Sequence, residues 1–258
     1  MSSGDPDVAV GSWFDNHCHL GSDAADALSS ARDGGVVGFV NVGTDLENSC
    51  EAIEVARSHP DVWATAGVHP HEARNGIRGI ADLLDDEMVV AVGETGLDHH
   101  YDHSPRRAQA DVFAAHIALA NERDMPIVIH TREAWDETFA LLDAEGVPAR
   151  TVFHCFTGGP QEAGECLERR AMLSFSGIIT FATADDVRAA AAGYPLESVM
   201  VETDSPYLAP VPLRGSTNEP ANVPLVGAAL ANAMGLTVEE VALVTTTNAR
   251  RFYGLDAV

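Results

Sequence analysis

Lysine is absent from all 258 residues. The fifteen cations are arginines, set against 39 aspartates and glutamates, so the formal net charge is −24. Such a balance excludes broad electrostatic attraction to nucleic acid or to an anionic membrane at low ionic strength. The exclusion lapses in molar salt, where the Debye length falls to about 3 Å and repulsion of a polyanion is screened. A lysine-free, carboxylate-rich surface over an ordinary core suits a cell of that kind, so a halophilic source is expected. With 46% apolar residues the chain is not a disordered acidic tail.

Other scarcities narrow the class. The four cysteines, at 18, 50, 155 and 166, show no C-x-x-C spacing, which fits reduced thiols in a cytoplasm better than a disulfide frame. No apolar run reaches the ~18 residues of a spanning helix, so no membrane partner is expected. The start, MSSGDPDVAV, has neither the basic flank nor the apolar core of a secretory signal. No G-x-G-x-x-G follows the first apolar run, which disfavours a doubly wound dinucleotide-binding sheet. No serine or cysteine sits in a G-x-S-x-G elbow, so no covalent nucleophile is indicated.

What is present is an alternation. Eight apolar or β-branched runs recur: Val8 to Asp15, Val36 to Val42, Val62 to Val68, Met88 to Val92, Pro126 to His130, Thr151 to His154, Met172 to Ser176 and Val199 to Glu202. Helical compositions lie between them, as at 24–32, 46–57, 105–123, 132–144 and 160–169, and two more follow a proline-rich loop. Strand–helix alternation implies parallel strands joined by crossovers. Runs such as VVGFVNV and PIVIH are apolar on both faces, as a buried parallel sheet requires. Eight such units in about 250 residues predict an α/β fold, a (β/α)8 TIM barrel. A single domain over 1–258 is expected, with 1–8 as a short acidic extension.

Six of the eight runs end in histidine or carboxylate: His17 and His19, His69 and His71, Glu94, His130, His154, and Glu202 with Asp204. In a barrel all those ends face one side, where active sites form. Residues i and i+2 of a strand share a face, so His17 and His19 can address one ion while Cys18 packs as a small apolar residue. Asp15 shares their parity, either to orient them from behind or as a loop carboxylate. Imidazole and carboxylate together suit Zn, Mn or Fe, and carboxylate also Mg. Four histidines with Glu94 and Asp204, six ligands, exceed the need of one tetrahedral ion. They suit two ions about 3.5–4 Å apart, an arrangement that hydrolyses phosphate esters.

The segments DNHCHL, GVHPHEA, VGETGLD, SPRRAQADVF, PIVIHTREA, VFHCFTGG, FSGIITF, VETDSPYLAP and TTTNARRFYGL run in order over nearly the whole chain. In this the sequence resembles the TatD family of metal-dependent deoxyribonucleases, within the wider metal-dependent hydrolases. The resemblance implies that His17, His19 and Asp204 hold one ion, that His130 and His154 hold the other, and that Glu94 bridges them. It implies that Asp204 is the proton acceptor and that His69 contacts substrate phosphate. It further implies a DNA substrate, cleaved as an exonuclease on single strands, with Mg²⁺ supporting activity and Zn²⁺ or Mn²⁺ as alternatives.

One departure is clear. The family loop often reads R-G-K-R-N-E-P; here Arg214-Gly-Ser-Thr-Asn-Glu-Pro220 lacks two cations. That weakens backbone contacts to a long polyanion. Arg132, two residues after His130, is a candidate phosphate ligand, with a salt bridge to Glu133 or another barrel-top carboxylate as the alternative, and Arg214 is a similar candidate. His99, His100 and His103 read as a solvated loop rather than a third metal site, and His71 as a residue of the mouth. His59 and His116 read as structural, and Asn218 and Glu219 as loop ties. Tyr207 and Phe156 read as packing, with base stacking as the alternative. The competing function is an amidohydrolase-like attack on a small ester, amide or lactone. Many such enzymes bridge their ions with a carbamylated lysine, which this chain cannot supply. A metal-stabilised binding protein without turnover is the third reading.

Overall fold

The computed structural model describes residues 11–255. The expected extension at 1–8, and the expected start of the first strand at Val8, lie outside them. The eight runs form strands β1 Trp13–Cys18, β2 Val36–Asn41, β3 Val62–Ala66, β4 Val89–Asp98, β5 Ile127–Arg132, β6 Thr151–Phe153, β7 Met172–Phe175 and β8 Val199–Val201. They join in one sheet in chain order. The helices are α1 Ala25–Asp33, α2 Leu46–Ser58, α3 Ile80–Leu83, α4 Arg106–Arg123, α5 Trp135–Glu145, α6 Pro160–Glu168, α7 Asp185–Gly193, α8 Val223–Met234 and α9 Val238–Tyr253. This is the (β/α)8 barrel. No single described helix is long and apolar enough to cross a membrane.

Three boundaries differ from expectation. β1, which begins among the described residues at Trp13, whose N–H donates to Gly35 O (2.9 Å), runs past Asp15 to Cys18. β4 does not stop at Val92 but continues to Asp98. Against β5, Val92 pairs with Ile127 and Thr95 with Ile129, so three steps on β4 oppose two on β5. That is a bulge, and the extra residue re-aims the segment carrying Glu94. α5 begins at Trp135 rather than Arg132, because β5 persists to Arg132 and Glu133 takes a left-handed φ of 54°.

The described residues fall into two compact units. One holds the chain up to Phe39, Cys155–Leu167 and everything from Leu173 onward. Here β1 lies beside β8, with the Asn16 side-chain amide donating to Val201 O (2.7 Å). The Trp13 ring packs on Gly227 of α8 so closely that a β-carbon there would lie 2.0 Å from it. α9 opens with a capping box between Thr237 and Glu240. Its Asn248 donates to Val199 O and its Tyr253 to Asn16 O. The other unit holds Val40–His154 and Glu168–Met172. It contains β3 to β6, with a small core of Val68, Ala73, Ile80 and Val112 under the loop after β3.

Candidate metal centre

In the first unit the backbone continues to pair beyond the ends of β1 and β8. Asp204 N–H donates to His17 O (2.9 Å) and His19 N–H to Ser205 O (2.8 Å). This sets the two i, i+2 imidazoles against one carboxylate: Asp204 Oδ1 lies 3.8 Å from His17 Nε2 and 3.4 Å from His19 Nε2. Asp204 itself sits at φ 55°, a conformation that non-glycine residues hold only when their surroundings enforce it. Asp15 supplies part of that enforcement. Its carboxylate takes the Thr203 N–H (2.9 Å) and hydroxyl (2.5 Å). Asp15 thus ties the β8 loop to β1; its carboxylate also takes the His17 backbone N–H (3.4 Å). Complete burial pushes its pKa up to about 8 against those bonds. Glu202 is equally buried and accepts the Cys155 N–H (2.9 Å) and the Ser174 hydroxyl (2.5 Å), a tie among strand ends.

In the second unit one carboxylate oxygen collects three rings. Glu94 Oε1 lies 2.7 Å from His154 Nε2, 3.1 Å from His130 Nδ1 and 3.5 Å from His69 Nε2. His130 Nδ1 and His154 Nε2 also face each other at 3.3 Å. Neutral imidazole carries one N–H, and two facing nitrogens cannot both bear protons without repulsion. A lone-pair donor set of this kind, closed by a buried carboxylate, fits a divalent cation. Burial opposes ionisation of Glu94, yet His154, His69 and the bonds from His130 and His154 hold its pKa well below the carboxylate range.

His69 differs from its neighbours. Its Nδ1 accepts the His71 backbone N–H (3.1 Å). Burial lowers its pKa far below the usual imidazole value, so the ring is neutral and its one proton sits on Nε2. With Nδ1 so engaged, the atom turned toward Glu94 is a donor, suited to an anionic oxygen; His69, Glu94 and His130 also each bring one ligand atom within 4.8 Å of the others.

Asp98, not singled out among the candidates, completes this cluster. Its Oδ2 meets His71 Nε2 (3.0 Å) and His130 Nε2 (3.3 Å). Its Oδ1 accepts the N–H groups of His100 and Tyr101, both at 2.9 Å. Gln109 clamps its backbone at both N–H and C=O. Burial raises its pKa less than the His130 bond and the Tyr101 amide lower it. A carboxylate behind a ligating histidine fixes the ring and raises its basicity. The sequence signal was its position at the end of VGETGLD, but only the bulge carries β4 far enough to use it.

The remaining candidates divide. Arg132 has no ion-pair partner among the described residues; its guanidinium lies 4.7 Å over the Tyr101 ring. Arg214 likewise lies over Phe181, at 3.8 Å. His100 pairs with Glu133 (2.7 Å) and His99 approaches Glu137 (3.5 Å), so these two do not gather into a further donor cluster. Phe156 is buried against Phe175. Tyr207, expected to pack, is instead 60% exposed, with its ring 6.0 Å from that of His19. Cys18 is buried, and Asn218 binds Thr203 O and Asn222, as loop and core roles require.

The family model for TatD related DNase matches residues 14–254. The chain belongs to the TatD family. Among TatD relatives, it is 36% identical to the Bacillus subtilis metal-dependent hydrolase YabD over 94% of this chain and 99% of that one. It is 34% identical to the 3'-5' ssDNA/RNA exonuclease TatD of Klebsiella pneumoniae, over 91% and 93%. The crystal structure of the Escherichia coli TatD homologue YjjV superposes with a TM-score of 0.88 at 26% identity, covering 95% of this chain and 99% of that one. The chain is thus a metal-dependent hydrolase of TatD type.

Proposed function

We propose that this hydrolase cleaves phosphodiester bonds of single-stranded DNA, as an exonuclease. The observation that carries the reading is the placement of His69, whose Nδ1 accepts the His71 N–H and whose Nε2 faces the carboxylate of a histidine cluster. A hydrogen-bond donor beside a cation site is what a phosphate oxygen needs. The exonuclease name of the Klebsiella pneumoniae relative supports it.

In this reading His17, His19 and Asp204 would hold one divalent ion and His130 and His154 a second, with Glu94 as the ligand expected to serve both, Mg²⁺ the working metal and Mn²⁺ or Zn²⁺ able to replace it. Bound ions of this kind activate a water and neutralise charge on the phosphate. Asp204 takes the proton of the attacking water. His69 donates to a non-bridging phosphate oxygen, and Arg132 adds a cation at the mouth. Asp98 holds His130 in orientation. The lysine-free acidic surface supports a salt-rich cytoplasm as the setting.

Cleavage of an end-labelled single-stranded oligonucleotide in molar KCl tests this. Metal-stripped protein should be inactive, and Mg²⁺ or Mn²⁺ should restore progressive shortening. Asp204→Asn and Glu94→Ala should each lose activity by at least ~10²-fold. A folded, metal-loaded protein that leaves the oligonucleotide intact but hydrolyses small esters or lactones would overturn the nuclease reading. The two missing cations at Ser216 and Thr217 would then be the reason.

A further inference from the structure

A line of rings leads outward from Glu94. His69 packs edge-on against His130 (centroids 4.6 Å) and His71 (4.3 Å). His71 in turn meets His103 (4.6 Å) and Tyr101 (5.8 Å). Tyr101 and His103 lie parallel, 6° apart in plane with centroids 5.7 Å apart. Exposure rises along this line, from 4% at His154 through 27% at His71 to 45% at Tyr101. The loop after β4 that carries Tyr101 and His103 is fixed rather than slack. Asp98 accepts its N–H groups, and Ser104 donates to His71 O (2.7 Å).

Two cations border the outer end. Arg132 lies over Tyr101 with no carboxylate partner among the described residues. Arg74, also without one, lines an open cleft of about 600 Å³ with Asp102, His103, Ser104, Pro105 and Arg106. Arg106 is committed to Asp102 and the His99 carbonyl. In a chain of net charge −24, an arginine without a carboxylate partner among the described residues is a conspicuous placement. Parallel rings next to guanidinium groups that no carboxylate engages match the two halves of a nucleotide: a flat base and an anionic phosphate.

We propose that this ring-lined track is the subsite for the nucleotide next to the scissile phosphate, its base stacked on the Tyr101–His103 shelf and its own phosphate on Arg132. The assignment rests on the nuclease reading above. It makes Tyr101 a substrate-binding residue that recognises a base without regard to its identity, because every base offers a π-face.

The test is a double cycle between protein and substrate. KM is measured for an intact oligonucleotide and for copies made abasic at each of the three terminal positions in turn. Wild type is compared with Tyr101→Ala, Tyr101→Phe and Arg132→Ala. Tyr101→Ala should raise KM for the intact strand about tenfold, and Tyr101→Phe should restore it. At one position the abasic substitution should already cost that factor, so that Tyr101→Ala adds nothing further there. Arg132→Ala should raise KM for intact and abasic strands alike. Full additivity at all three positions, or an unchanged KM in Tyr101→Ala, overturns the shelf while leaving the nuclease reading standing. A wild type that does not cleave or bind the intact strand overturns both.

Discussion

Asp98 and His116 show two opposite ways of using a buried titratable group. Asp98 is charged and held by two backbone N–H groups and two rings. Replacing it by Asn removes the charge that steadies His130 and presents an N–H₂ group to a ring nitrogen. Affinity for Mn²⁺, read by calorimetric titration of metal-stripped protein, should fall about 10- to 100-fold in Asp98→Asn; an unchanged affinity would remove Asp98 from the metal centre. His116 is fully buried and neutral, with Nδ1 donating to Val112 O (2.8 Å) and Nε2 accepting the Val68 N–H (3.2 Å). Burial lowers its pKa to about 4, against the Val112 bond. The unfolded chain binds this proton below about pH 6.5 while the native chain does not until about pH 4. Stability therefore falls as pH drops through that window, by roughly 3 kcal/mol at about 1.36 kcal/mol per pH unit. His116→Gln should flatten the acid limb of urea-midpoint against pH between 6.5 and 4. A limb as steep as wild type would show that other groups carry it.

At the scale of elements, the β4 bulge decides where the chemistry lies. Gly96 stands opposite His130 in the register, at φ 139°, and a β-carbon there would lie 1.9 Å from the His130 carbonyl oxygen. Gly96→Ala should cost about 2–6 kcal/mol, since a strained φ and an overpacked contact each cost about 1–3. It should also weaken metal binding, because the obstructing atom is backbone and β5 must move. Gly76→Ala is the control: its φ of 67° is also left-handed, but nothing lies within 4 Å of the added carbon, so about 1 kcal/mol is expected. Equal urea midpoints for the two variants would rule out close approach as the reason for Gly96. The same bulge marks what was legible in the residues. Alternating composition announced eight strands and the barrel, and the runs ending in His17, His69, His130 and His154 announced where polar side chains gather. Periodicity cannot announce a strand that passes through two glycines, so β4 reads as ending at Val92 and Asp98 as lying beyond it. Nor could it announce the Tyr101–His103 shelf, because the histidine-rich loop is ordered by bonds to Asp98 and Ser104 that no local pattern encodes.

For the molecule as a whole the deciding quantity is charge. Among the described residues arginines pair with carboxylates, such as Arg57 with Glu54 and Asp86, and Arg169 with Asp143. Exposed pairs of that kind contribute about 0–1 kcal/mol each, and salt weakens them. Against them stand 39 − 15 = 24 uncompensated carboxylates, whose mutual repulsion extends over about 10 Å at 0.1 M salt and about 3 Å at 1 M. Repulsion spread over the whole surface outweighs a few screened pairs, so the melting temperature should rise between 0.1 and 2 M KCl at fixed Mg²⁺. A flat or falling curve would mean that the ion pairs carry more than this balance allows. The same screening governs the substrate. Most nucleic-acid-binding proteins lose affinity as salt rises, because bound phosphates release counterions. Here the cations at the mouth are few, and the field around them is negative. The kcat/KM for a single-stranded oligonucleotide should therefore increase with KCl over the same range. It should do so even in Arg132→Ala, whose loss removes a local contact without altering the repulsion that limits approach. A kcat/KM that falls with salt in wild type but not in Arg132→Ala would mean that a local phosphate contact, not the global field, sets the encounter.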